Sequence, residues 1–279
     1  MNSSRRKSVQ KAEMKYSLII PVLMLALVSP LRAWQEEVTT RNPDPAFLTI
    51  RPVHLSFQMN WNGKINSGRL NMLFGREDAR YPKHFIAQIY GASTGLARTL
   101  YPYDYSFTSF LRKDSYLPAM FTSTETTSKK RTETSNWYRP SVRSREVSTP
   151  LRKGKAPKTK TSSFSFERAP IHDLASALIY LRRLELKIGE TAVLVVHPFA
   201  SPYLARVKVL RRETHRGLKC LRMDLRLQKI GPGGKLIGYD KMKRATLWLS
   251  DDHERLPVEL RTEVFIGDVR AILTGKKYL

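Results

Sequence analysis

Between Ala245 and Gly275 the chain reads ATLWLSDDHERLPVELRTEVFIGDVRAILTG, with apolar and polar residues alternating around two polar turns. Successive side chains of an extended strand point to opposite faces, so a period of two assigns each residue a side. Val258, Leu260, Thr262 and Val264 are placed on one face, and Glu259, Arg261 and Glu263 on the other. The alternation recurs in Leu55, Phe57, Met59 and Trp61, which run into the turn signal Asn62-Gly63 and return as Leu70, Met72 and Phe74. It recurs again in Phe85, Ala87 and Ile89, in Tyr105, Phe107 and Ser109, and in Leu221, Met223, Leu225 and Leu227 set against Cys220, Arg222, Asp224 and Arg226. Such a chain can bury its apolar residues only by building antiparallel sheet.

Residues 91–103 read as a short turn or helix. Residues 116–168 are rich in Ser, Thr, Lys and Arg and read as strands polar on at least one face, with a flexible basic loop near 149–160. One helix is predicted near 170–183, opened by Pro170 and carrying Leu174, Ala177, Leu178 and Leu181 at i, i+3, i+4 and i+7. Asp173 falls in its first turn, where a carboxylate complements the positive helix end. After a turn at Lys187–Glu190, strands are expected at 192–199, 204–213, 218–229 and 241–250, the last two joined by the loop Gly231–Gly234. A sheet of this size tends to curl, and its apolar face must be covered. The predicted fold is mainly β: a single large, strongly curved antiparallel sheet forming a partial barrel, with the 170–183 helix covering one face or plugging the open side.

Residues 1–16 carry Arg5, Arg6, Lys7, Lys11 and Lys15 against Glu13 and precede the apolar run Ser17–Val28. That run is shorter than the roughly 20 residues a membrane span needs, so residues 1–33 read as a signal peptide cleaved after Ala33. Retention as an anchor, or a twin-arginine route through Arg5-Arg6, are the alternatives. The expected location is therefore the periplasm or cell envelope. A Pro-rich lead-in would occupy 34–53 and a single β-rich domain 54–279. Cys220 is the only cysteine, so no intramolecular disulfide forms and stability must come from burial.

The net charge of +25 favours anionic partners. Residues 129–168 concentrate it, with twelve Lys or Arg against Glu133, Glu146 and Glu167. Aromatic residues such as Trp137 and Tyr138 are interleaved there, as nucleic-acid binding would want, but the export signal argues against that partner. Lys129, Lys130 and Arg131 are the candidates for contact with an anionic envelope surface.

Catalytic and metal chemistry find weak support. Gly91-Ala-Ser-Thr-Gly95 matches a nucleophile elbow at Ser93, yet the elbow needs a helix after the serine and a βαβ setting. Asp173 or Asp251 and His253 would have to complete it. Asp251-Asp-His-Glu254 holds three acids and a histidine, but adjacent residues diverge in extended chain and Asp favours turns. Gly231–Gly234 lacks the Lys-Ser/Thr ending of a phosphate loop. No enzyme activity, cofactor or metal is expected.

His172-Asp-Leu-Ala-Ser-Ala-Leu-Ile-Tyr-Leu-Arg182, the turn Ile188-Gly-Glu-Thr191, the strand Ala245–Val258 and the end Val264-Phe-Ile-Gly-Asp-Val-Arg-Ala-Ile-Leu273 together resemble the domain of unknown function 3108 family of exported bacterial proteins. The Trp61–Leu70 hairpin and Tyr101-Pro-Tyr-Asp104 extend the resemblance over about 54–275, while the basic 129–168 stretch departs from it. The resemblance implies an exported antiparallel β protein, akin in architecture to the curved, partly open barrels of periplasmic lipoprotein carriers. It brings no established reaction. The function expected is non-enzymatic binding or carriage of an amphipathic or lipid-like ligand, with Phe57, Trp61, Phe107 and Trp248 as candidate lining residues. The alternatives are an adaptor docking through the basic 129–168 region and a Ser93 hydrolase.

Overall fold

Two turns show how the alternating segments become hairpins. Asn62 and Gly63 both adopt positive φ, 51° and 68°, and Arg216 and Gly217 do the same at 51° and 77°, the left-handed pair that matches the twist of the flanking strands. The computed structural model describes residues 33–47, 50–152, 154–239, 244–264 and 267–279, without the side chains of Ala33 and Val264. The signal segment up to residue 32, the first residues of the predicted 241–250 strand and the Val264 side chain lie outside them.

The strands are β1 (Val53–Trp61), β2 (Ile65–Arg76), β3 (His84–Ser93), β4 (Tyr103–Arg112), β5 (Pro118–Thr127), β6 (Lys130–Tyr138), β7 (Ser141–Pro150) and β8 (Lys158–Ser165). They continue as β9 (Ile171–His172), β10 (Thr191–Val196), β11 (Tyr203–His215), β12 (Leu218–Ile230), β13 (Leu236–Gly238), β14 (Arg244–Ser250), β15 (Pro257–Val264) and β16 (Gly267–Tyr278). Two helices join them, α1 (Gly95–Leu100) and α2 (Leu174–Arg183). The sheet order is β8-β7-β6-β5-β4-β3-β2-β1-β16-β15-β14-β12-β11-β10-β9, with β13 folded back on β12. It is one large, mainly antiparallel sheet that does not close. Residues 37–279 make up one compact unit, and the described residues before it, Ala33–Glu36, form a helical turn.

The structure corrects four local expectations. The sheet is mixed, because Ile171 and His172 pair in parallel with Val195 and Val196; that pairing delays the helix start from Pro170 to Leu174. Asp173 is the N-cap itself: its carboxylate accepts from Ser176 N at 2.7 Å while Ser176 Oγ receives the Asp173 N–H at 2.9 Å, a reciprocal cap. The predicted 149–160 loop is shorter, since Pro150 pairs with Lys130 and Lys158 with Ser148. Finally, the Val258 alternation begins one residue late. Trp248 pairs with Glu259 and Leu249 with Pro257, so Val258 is the extra residue of a bulge and clusters with Cys220 and Trp248.

Helix α2 lies on one face of the sheet, the inner face hereafter. Ala175 and Ile179 enter a cluster with Val53, Leu55, Phe57, Leu70, Phe74 and Leu111. Leu181 and Leu184 enter another with Leu194, Val207, Leu221, Met223 and Leu249. Each Val, Leu, Ile, Phe or Met among them contributes about 1.5–3 kcal/mol by burial. The C-terminal end of α2 is held by Arg182 Nε, which donates to Glu254 O at 3.0 Å, and by Arg255, which donates to Leu184 O. Burial pushes the Arg182 guanidinium down to about 10. Residues 39–44 run beside this assembly, with Thr39 N donating to Val193 O at 2.8 Å and Asp44 N to Arg183 O at 2.7 Å.

A candidate ligand groove on the inner face

The inner face is filled where α2 crosses it and only half-covered toward the strand ends that carry Trp61, Tyr103 and Leu225. Strand register puts Met59, Ile89 and Tyr105 on the same face as the buried Phe57 and Phe107. They remain half-buried, as do Leu225, Leu227 and Leu260 on the other arm of the sheet. Gly91 sets the position of Tyr105: a Cβ there would stand 2.6 Å from the Tyr105 hydroxyl and 2.1 Å from Arg69 O. Only glycine lets the ring lie across the strand. From that position the Tyr105 hydroxyl reaches Met59 Sδ at 3.8 Å.

Two tyrosine pairs frame the polar end of this strip. Tyr103 and Tyr105 stack with centroids 5.3 Å apart, and Tyr203 and Tyr239 meet edge-on at 5.2 Å. Glu125, paired across the strands with Tyr105 and therefore on the inner face, accepts a hydrogen bond from the Tyr103 hydroxyl. Burial, and then the bond to Glu125, push the Tyr103 phenol well up, while burial takes Tyr105 up to about 12. Tyr239 on the other arm is raised by burial and then by the same Glu125 charge.

Beyond β5 the inner face turns polar yet stays buried. Asn136 Nδ2 donates to His197 O at 3.1 Å and Phe199 O at 3.0 Å, and the Tyr138 hydroxyl donates to His197 O at 2.5 Å. The 197–200 segment thus crosses β6 and β7 and is tied down by side chains where no strand pairing exists. His172 and His197 are buried here, and burial holds both imidazoles down at about 4. Burial pushes the Asp173 carboxyl up, against bonds from Ser176 and Ser109.

The residues singled out in the sequence are scattered by the fold. Phe57 and Phe107 are buried on the inner face, 3% and 9% exposed, and form its floor. Trp61, two residues beyond Met59 on β1, is half-buried at the strand end. Trp248 does not belong with them. It lies on the outer face, stacked on His215 at 4.3 Å, with Nε1 donating to Glu213 at 2.7 Å and with Arg222 and Arg261 over its ring. The bond from Trp248 holds Glu213 below the usual carboxylate range. Beside it Glu259 has no exposed side-chain surface and accepts from Arg216 at 2.6 Å, His215 at 2.9 Å and Arg261 at 3.0 Å.

Lys129, Lys130 and Arg131 are exposed at the β5–β6 turn, Arg131 paired with Glu133 at 2.8 Å. Ser93 ends β3 and its Oγ accepts from Tyr103 N at 3.0 Å; α1, which follows, has six residues. The acids of 251–254 go to separate partners: Asp251 to Arg212, Asp252 to the 254 and 255 amides, Glu254 to Lys276 and Tyr278. Among the described residues no three His, Cys, Asp or Glu are grouped to hold a metal ion, and no helix is long and apolar enough to cross a membrane. A separate cleft of about 490 Å³ is lined by Arg112, Tyr138, Arg139, Phe166 and Pro170.

Tyr103, Glu125, Tyr203, Tyr239, Leu225 and Leu227 escaped the sequence reading as a site. The period-two run Tyr103-Tyr105-Phe107 signals a shared face, but only the sheet order brings the β11–β13 residues opposite it.

No curated protein matches the sequence. Among solved structures, the chain is similar to the β-barrel-like protein of domain of unknown function DUF1849 from Brucella abortus. The TM-score is 0.51 at 8% identity, over 83% of this chain and 99% of that one. At that identity the likeness bears on the fold alone, and it is the same β-barrel-like fold. A second alignment, to the lipoprotein LppX of Mycobacterium tuberculosis, covers 82% of this chain and 87% of that one at 10% identity, with a TM-score of 0.21 that does not establish a shared fold. The sequence matches the family described as Protein of unknown function (DUF3108) over residues 56–274, most of its length, and the chain belongs to that family.

Proposed function

We propose that the protein binds, without catalysis, an amphipathic or lipid-like molecule in the inner-face groove, as a carrier in the cell envelope. The observation that supports this most is the half-buried strip of Met59, Ile89, Tyr105, Leu225, Leu227 and Leu260, which lies beyond α2 on an otherwise filled face. Contiguous apolar surface with a polar end marks a ligand site more often than an unfinished core. Phe57 and Phe107 would floor the groove and Trp61 would stand at its end; Trp248, on the outer face, would take no part. The test is titration with a fluorescent, uncharged polyene alcohol. Met59→Asp and Leu227→Asp should each weaken binding at least about tenfold, or ~1.4 kcal/mol, while Trp248→Phe leaves it unchanged. Equal effects of all three, or no binding by the parent protein, would contradict the reading.

A second reading is favoured by the surface at the same end of the sheet. Lys129 and Lys130 are exposed there with the exposed apolar side chains of Leu96, Leu100 and Leu151. Basic residues beside apolar ones suit docking on an anionic bilayer, each cation near the surface adding about 1 kcal/mol. Reversal to Glu at Lys129, Lys130 and Arg131 should abolish retention on anionic vesicles and its salt dependence. Retention that is unchanged would exclude this surface.

A further inference from the structure

We infer that the polar end of the groove recognises a cationic nitrogen, so that the ligand is an amphiphile with an ammonium or amine head; this rests on the groove being the binding site. Glu125 is the basis. The chain carries 49 Lys or Arg against 24 Asp or Glu, so a carboxylate here has cations in excess to choose from. Most acids of the sheet take them: Asp104 pairs with Arg98, Asp224 with Arg226 and Arg244, Glu259 with Arg216 and Arg261, and Asp268 with Arg270. Among the described residues, Glu125 makes no ion pair, and its one hydrogen bond comes from the Tyr103 hydroxyl.

The surroundings fit an external cation. Tyr103 and Tyr105 stand on one side of Glu125, and Tyr239, packed on Tyr203, feels its charge from the other arm. Aromatic faces attract an alkylated ammonium through the ring quadrupole, most strongly when the site is partly dry. A carboxylate among them supplies the counter-charge that burying a cation requires. The apolar strip from Met59 to Leu227 begins beside this cluster, in the order an amphiphile would need: head at Glu125, tail toward α2. Lys158 is the basic residue on the same inner-face rung. It is reached through Thr132 and Ser148, three strand spacings or about 14 Å away, beyond direct pairing and in a position to meet an anionic group on the same head.

An ordinary structural acceptor for Tyr103 would behave differently, and one experiment separates the two. The purified full chain is titrated calorimetrically with dodecyltrimethylammonium, dodecyl maltoside and dodecyl sulfate, each below its micelle concentration. The +25 charge biases unspecific binding toward the sulfate, so a preference for the ammonium runs against the overall field. The expected result is ammonium binding at least tenfold tighter than the maltoside, with Glu125→Gln removing that preference and leaving maltoside affinity within twofold. Tyr103→Phe keeps the ring and frees the carboxylate, and should retain or increase the preference. Equal affinity for ammonium and maltoside, unaltered by Glu125→Gln, would overturn the head-group assignment while leaving the carrier reading intact. No binding of any of the three would overturn both.

Discussion

The inner face of β10–β12 and β14 and the inner face of β6 follow the same alternation and reach the same burial with opposite chemistry. On the first, Leu221 and Met223 are 0% exposed; on the second, Asn136 is 0% and Thr134 1% exposed. The apolar arm is covered by Leu181 and Leu184 at the end of α2. The polar arm is covered in part by the backbone of 197–200, whose carbonyls need donors. A period of two thus decides which residues are buried, and the element lying opposite decides what they must be. The polar arm gives the open sheet a closure made of side-chain bonds, a weaker join than a strand ladder.

The largest effect should come from the apolar arm. Met223→Ala or Leu221→Ala should cost about 2–5 kcal/mol in denaturant titration, since the lost transfer energy adds to that of the cavity. A loss below ~1 kcal/mol would mean that this arm is not a close-packed core. Smaller, and specific to the closure, is Asn136→Leu. It removes one donor from each of the His197 and Phe199 carbonyls, leaving Tyr138 on the first and Ser144 on the second, and should cost about 1–3 kcal/mol. Proteolysis around 197–200 should rise with it; protection equal to that of the parent would show that the seam holds without these bonds.

The seam should also carry the pH dependence. His172 and His197 fold with their pKa lowered from 6.5 to about 4, so the unfolded chain binds more protons between those values. Stability is full above about pH 6.5 and falls as the pH drops toward 4, where the loss levels off. Asp173 works in the opposite sense, its carboxyl held above 3.8, so folding gains stability as the pH falls through that raised value. The net slope between pH 6.5 and 4.5 should be positive with pH and should become shallower in His197→Asn. A slope that is the same in the variant would remove His197 from the balance.

Much of this architecture is legible in the residues. Alternation marks the faces of β1–β4 and β12, Asn62-Gly63 marks a hairpin, and the i, i+3, i+4, i+7 pattern marks α2. What stayed hidden depended on residues distant in sequence. Val258 looks regular until the bulge opposite Leu249 displaces it. Alternation sets Glu259 on the face opposite Leu260, but its burial depends on Arg216, from the β11–β12 turn, and Arg261, which neutralise it. The alternation does not say which face is concave; Trp248 alternates with Leu247 and Leu249, and these two line the inner face, so Trp248 lies on the other. Tyr239 and Glu125 are 114 positions apart, and Tyr239 comes within electrostatic reach of that charge only through the fold.

The central claim is that the half-covered end of the inner face is occupied in the cell by an amphiphile. It is tested most directly by purifying the full chain gently from the envelope fraction and analysing its organic extract by mass spectrometry, with Leu227→Asp prepared in parallel. The account predicts one lipid-like species at near one equivalent in the parent and its loss in the variant. A parent protein that is free of lipid, or a variant that carries the same load, would contradict it.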